Sequence, residues 1–160
     1  MVFTVSSRTR RRLVLVDVEN VVGGGTLMAE QVADARERLI EACDLNDDVD
    51  HVVVASSPRN ACATAFEWKG SRRLLLRAGF DDPALALLGV METENIGRRF
   101  TDVLLASGDG IFAPVVSALV ARGLRVIVAA PPDVLSHRLA RAASQVIWLD
   151  STTDFYLEAA

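Results

Sequence analysis

Two aspartates stand where the sequence most readily builds chemistry. Asp17 closes the apolar run Leu13-Val14-Leu15-Val16, and Asp109 follows Leu104-Leu105-Ala106 across the small turn Ser107-Gly108. Each run reads as a buried strand that ends on an acid. Ends of neighbouring strands in a parallel sheet converge on one edge, so the two carboxylates are expected to share a site. Carboxylate oxygens suit a hard cation such as Mg²⁺ or Mn²⁺, which is held by one or two acids together with water and substrate phosphate. Such an ion activates a water and neutralises charge on a phosphodiester. Asn20, three residues past Asp17, and the backbone N–H groups of Ser107 and Gly108 fall beside that place. The plainer reading of either acid is a cap on the helix that follows it.

The elements that must position these residues alternate in type along the chain. Strands are expected over 12–18, 51–55, 73–77, 102–106, 124–129 and 145–149, and helices over 29–44, 60–69, 83–95, 112–122 and 133–143. Asp82 before Pro83 reads as a helix cap, and Gly97 and Gly123 read as helix stops. Strands apolar throughout and separated by helices predict an α/β three-layer sandwich around a mainly parallel sheet of five to six strands. Right-handed crossovers then bring every strand's C-terminal end to one edge. An N-terminal arm (1–11), one domain (12–150) and a C-terminal tail (151–160) complete the expected organisation.

Composition narrows the function classes. A chain of 160 residues, 51% hydrophobic and 24% charged, is ordinary for one globular domain. A net charge of −4 argues against a surface coated for non-specific nucleic-acid binding. No apolar run approaches the ~20 residues that span a membrane. The first twelve residues lack the apolar stretch and cleavage site of a secretory leader, so a cytoplasmic protein without membrane partners is expected. Cys43 and Cys62 lack metal spacing and are expected as small buried hydrophobes in helices.

Other uses of this architecture make demands the chain does not meet. A receiver domain needs a lysine after the fifth strand, where Ala129-Ala130-Pro131-Pro132 stands. A haloacid-dehalogenase-like phosphatase needs Asp-x-Asp after the first strand, where the chain has Asp17-Val18-Glu19. Gly23-Gly24-Gly25 has neither dinucleotide nor P-loop spacing, so no nucleotide cofactor is expected. His51 and His137 have no nucleophile elbow to serve.

Val16-Asp17-Val18-Glu19-Asn20-Val21, taken with Ala106-Ser107-Gly108-Asp109-Gly110-Ile111-Phe112-Ala113-Pro114, resembles the NYN domains of the PIN-like nuclease superfamily. The likeness runs on through Val126-Ile127-Val128 to Leu139-Ala140-Arg141-Ala142-Ala143 and covers nearly the whole chain. It implies a Mg²⁺- or Mn²⁺-dependent endoribonuclease acting on RNA at an acidic site on the sheet edge. By that resemblance Asp17 and Asp109 are metal-site acids and Asn20 supports them through its amide, while Ser107 and Gly108 shape the turn. Two positions depart from the family pattern. Ile111 stands where many members carry a further acid, and Ala84 where many place one in the third helix, with Asp81 and Asp82 just upstream. Asp82 is the candidate to take that role as catalytic and metal residue, and Glu19, two residues along from Asp17, is a candidate to assist. The alternative is a catalytically degenerate module that binds RNA or protein. A protein partner or a homo-oligomer stays open.

Among basic residues, Arg59, Arg77, His137 and Arg138 follow strands and fall on the acid edge, where they are candidates to contact substrate phosphates. Arg8, Arg10, Arg11 and Arg12 precede the first strand and are expected as a solvated tail on the opposite edge, joined there by Arg98 and Arg99. Trp68 and Trp148 are expected to pack.

Overall fold

The six strands are β1 (Arg12–Asp17), β2 (Asp50–Ala55), β3 (Arg73–Leu75), β4 (Asp102–Ala106), β5 (Arg125–Ala130) and β6 (Gln145–Trp148), in a computed structural model that describes residues 9–76 and 82–149. They form one sheet in the order β3-β2-β1-β4-β5-β6, and every pairing is parallel. The order reverses between β1 and β4. Strands on either side of such a point send their connections to opposite faces, which leaves a crevice at their C-terminal ends.

Seven helices are described: α1 (Val18–Val22), α2 (Ala29–Cys43), α3 (Ala61–Glu67), α4 (Pro83–Thr93), α5 (Ile96–Arg99), α6 (Ala113–Ala121) and α7 (His137–Ala142). Strand alternation divides the core in two. Leu13, Leu15, Val53, Val103, Leu105 and Val128 face one layer, with Leu87 of α4, Val116 of α6 and Leu139 of α7. Val14, Val16, Val54, Leu104 and Ala106 face the other, with Val18 of α1 and Val32 and Leu39 of α2. Each fully buried Leu or Val adds about 1.5–3 kcal/mol, so both faces hold the strand ends firmly.

Several local expectations are corrected. β1 stops at Asp17, because that side chain accepts the Asn20 N–H and starts α1 at Val18, which was expected as the last residue of the strand. Gly97 does not end a helix: it lies inside α5, and the break comes at Asn95, whose φ is 52°. The fifth long helix shortens to α7, because Ser136 N–H bonds the Gly108 carbonyl and draws 133–136 onto the loop after β4. Arg12 is no tail residue. It begins β1, buried, with Nε and one terminal nitrogen on the two oxygens of Asp50 at 2.8 and 2.6 Å. Arg10, also read as tail, pairs with Asp102 at 2.7 Å. Trp68 packs as expected, but Trp148 and Cys62 are exposed.

Candidate functional site

β1 and β4 are neighbours, in register from Arg12 opposite Asp102 to Val16 opposite Ala106. Asp17 and the Ser107-Gly108-Asp109 turn therefore leave the sheet side by side. Asp82, from the start of α4, joins them, and the three aspartates with Glu19, Asn20 and Gly24 line a single cleft of about 290 Å³ at the C-terminal edge. Asp17 is 3% exposed at its floor, Asp109 is half-buried and Asp82 is exposed at the rim.

Hydrogen bonds fix the acids to one another's loops. Asp17 Oδ1 accepts the Asn20 N–H at 3.2 Å, and Oδ2 accepts from Ser107 Oγ at 3.4 Å. The same Ser107 oxygen accepts the Asp109 N–H at 3.3 Å, so one hydroxyl ties both acids together. Asn20 Oδ1 accepts the Gly108 N–H at 2.7 Å and pins the β4 turn to α1. Gly108 has no room for a side chain: a Cβ there would lie 2.4 Å from the Val134 carbonyl oxygen. Asp109 and Asp82 also act as caps, accepting the Ile111 and Ala84 N–H groups at 3.0 and 2.9 Å. The plain reading of both acids is thus realised together with their convergence.

Burial pushes the Asp17 carboxyl up to about 7, against the Asn20 hydrogen bond that lowers it, and the charges of Asp82, Glu19 and Asp109 add to the rise. Among the described residues, no cationic side chain lines the cleft. Arg59, in the 3₁₀ turn Pro58–Asn60, and His137 and Arg138, in the first turn of α7, are not buried, and none of the three lines the cleft. Arg77 and Asp81 lie outside the described residues.

Glu19, the candidate to assist Asp17, belongs to α1 and not to the strand. Its Oε1 accepts the Ser57 N–H at 2.9 Å, the Ser57 hydroxyl, and Asn60 Nδ2 at 2.6 Å. Asn60 Nδ2 also donates to the Gly25 carbonyl, at 3.0 Å, and its Oδ1 accepts the Leu27 N–H, at 2.8 Å. Sequence reasoning missed Ser57 and Asn60. Their one signal was polarity at the end of an apolar strand.

The donor set is all oxygen and all acidic, which fits a hard cation and no soft one. Among the described residues, however, no three or more His, Cys, Asp or Glu side chains are grouped closely enough to hold a metal by themselves. The fit is to an ion held by two acids, with water and substrate supplying the other ligands. No described helix is long and apolar enough to cross a membrane.

Comparison with known proteins bears on this edge. The crystal structure of a protein of unknown function from Vibrio parahaemolyticus superposes with a TM-score of 0.60, over 91% of this chain and 96% of that one, at 18% identity. That likeness shows the shared fold. No curated protein matches the sequence. The family model of the NYN domain matches residues 91–150, the stretch that carries β4, Asp109, β5 and β6. Over that stretch the resemblance to NYN domains is borne out.

Proposed function

We propose that this protein is a metal-dependent endoribonuclease that hydrolyses RNA phosphodiester bonds in the cleft between β1 and β4. The observation that carries the reading is the meeting of Asp17, Asp82 and Asp109, from three separate elements, in one cleft that no described cationic side chain lines. Ionising the buried Asp17 beside two other acids is costly, and perturbed groups of this kind cluster where a bound cation or a reaction uses them. Asp17 and Asp109, with Asp82 at the rim, would hold Mg²⁺ or Mn²⁺, which when bound lowers the pKa of a coordinated water and offsets phosphate charge. Asn20 and Ser107 hold the two acids in place through the Gly108 N–H and the shared hydroxyl. Arg59 and Arg138, which follow β2 and β5 toward the same sheet edge, would supply positive charge for phosphates beyond the scissile bond, and His137 a hydrogen-bonding group beside them.

The test is cleavage of labelled RNA with Mn²⁺ and with chelator. Cleavage that needs the ion and disappears in the Asp17→Asn, Asp109→Asn double variant is expected; equal cleavage by wild type and double variant overturns the reading. One observation favours a second reading, a degenerate binding module. Ile111 replaces an acid, and no described group of three acids is arranged for a metal. Calorimetric titration with Mn²⁺ separates the two, since a module without a metal site gives only heat of dilution.

A further inference from the structure

Glycine occupies three successive positions after α1, and all three take left-handed backbone: φ is 116° at Gly23, 87° at Gly24 and 83° at Gly25. Ending a helix needs only one such residue. Elsewhere among the described residues such positions occur one at a time, and Asp44 and Asn95 show that a side chain is accepted there. Nor does packing demand glycine, because a Cβ at any of the three would meet nothing within 4 Å. Side chains are absent from a turn that has room for them, and Gly23 and Gly24 line the acid cleft.

The turn is also held at both ends. The Gly23 and Gly24 N–H groups both donate to the Glu19 carbonyl, at 2.8 and 2.7 Å. Beyond them Asn60, 1% exposed, spends its whole amide on Glu19, Gly25 and Leu27. Glu19 is anchored in turn by Ser57. A buried polar network is tolerated only when its members are satisfied, and this one is spent on fixing a surface turn. A neutral wall of bare backbone beside three carboxylates lets a polyanion's sugar–phosphate chain come close without meeting a side chain or further charge.

We infer that Gly23 and Gly24 are the bare wall of the cleft against which the sugar–phosphate backbone of a nucleic-acid strand lies, and that Asn60, anchored by Glu19 and Ser57 and bonded to Gly25, is the positioning residue that keeps this wall in place. The inference rests on the nuclease reading for the nature of the ligand, but its readout is binding.

The experiment measures the affinity of the full chain for a fluorescein-labelled oligouridylate by anisotropy, with cleavage followed in parallel. Gly24→Asn keeps a residue type suited to left-handed φ while adding a side chain. Gly123→Asn, at a remote turn with φ of 93° and open space, controls for the substitution itself. Gly24→Asn is expected to weaken binding by about tenfold or more and to raise KM with little change in kcat, while Gly123→Asn matches wild type. Asn60→Ala, which frees the wall without filling it, is expected to weaken binding less than Gly24→Asn. Wild-type affinity in a folded Gly24→Asn protein overturns the inference while leaving the nuclease reading standing. Binding lost in Gly24→Asn with no cleavage by wild type overturns the nuclease reading and keeps the wall. A wild-type protein that neither binds nor cuts overturns both.

Discussion

At the N-terminal edge of the sheet Arg12 grips Asp50 through two hydrogen bonds and also donates to the Cys43 and Asp44 carbonyls, at 3.1 and 2.9 Å. At the other end of the same strand Asp17 is just as buried, yet it faces Asp82 and Asp109 and accepts only neutral donors. Six residues of β1 thus join a matched ion pair to an unmatched acid. The difference shows which end the fold uses for holding itself together. A buried pair with its remaining hydrogen bonds made is a finished structure. A buried acid among acids costs stability, and on the function proposed above that cost marks the place where the cation binds.

The comparison breaks most visibly at the matched end. Arg12→Ala leaves Asp50 buried without its partner and uncaps two carbonyls at the end of α2, so a loss of about 3–5 kcal/mol is expected in urea denaturation. Replacing both residues by apolar ones of similar volume is expected to cost less than either single change. If Arg12→Ala were nearly neutral, the pair would not be the structural element its geometry describes.

At the unmatched end the sign reverses. Burial raises the Asp17 carboxyl from 3.8 to about 7, so between those values the folded chain binds more protons than the unfolded one. Stability contributed by this group is therefore present at low pH and lost as pH rises toward the folded value. Asp17→Asn, which keeps an oxygen for the Asn20 N–H, is expected to stabilise the metal-free protein by up to about 4 kcal/mol at about pH 8, and by roughly half that or less near pH 5. A destabilised Asp17→Asn protein at high pH would show Asp17 to be an ordinary cap.

Much of this contrast was legible beforehand, and the reasons differ residue by residue. Apolar runs that close on Asp17 and on Ser107-Gly108-Asp109 were enough to set the sheet and bring the acids to its edge, because burial on both faces leaves strands few alternatives. Asp82 could be read equally as cap or ligand; the structure shows the cap and also places it at the cleft rim. Arg12 was misread because charge in an arginine-rich stretch reads as solvated, and its partner Asp50 is 38 residues away. Asn60 and Ser57 were invisible for a similar reason: their role depends on Glu19, which only a turn into α1 swings toward the end of β2. Pairwise polar contacts across a crossover leave no periodic trace in the sequence.

Metal sharpens the comparison with a smaller effect. Mn²⁺ at about a hundredfold excess over its dissociation constant is expected to raise unfolding stability by about 2.7 kcal/mol. The gain should vanish in Asp17→Asn or Asp109→Asn and persist in Arg73→Ala, whose ion pair with Glu94 is partly exposed and takes no part in lining the cleft. Differential scanning with and without chelator reads it. An equal response in all four proteins would mean binding elsewhere.

The smallest expected effect separates two glycines on the acid edge. A Cβ at Gly108 would strike backbone, 2.4 Å from the Val134 oxygen and 2.9 Å from the Leu135 Cα, and neither can yield without moving the loop after β5. That shift would stretch the Ser136 N–H bond to the Gly108 carbonyl, now 2.8 Å, and turn the Gly108 N–H away from Asn20. At Gly110 the nearest atom is the Ser136 hydroxyl oxygen at 2.8 Å, the end of a side chain that can rotate aside. Gly108→Ala is therefore expected to cost about 1–3 kcal/mol in urea and to weaken the Mn²⁺ response, while Gly110→Ala stays within about 1 kcal/mol and keeps it. Equal losses at the two positions would mean that close backbone packing behind Asp109 does not hold that acid beside Asp17, and that the shared Ser107 hydroxyl does so alone.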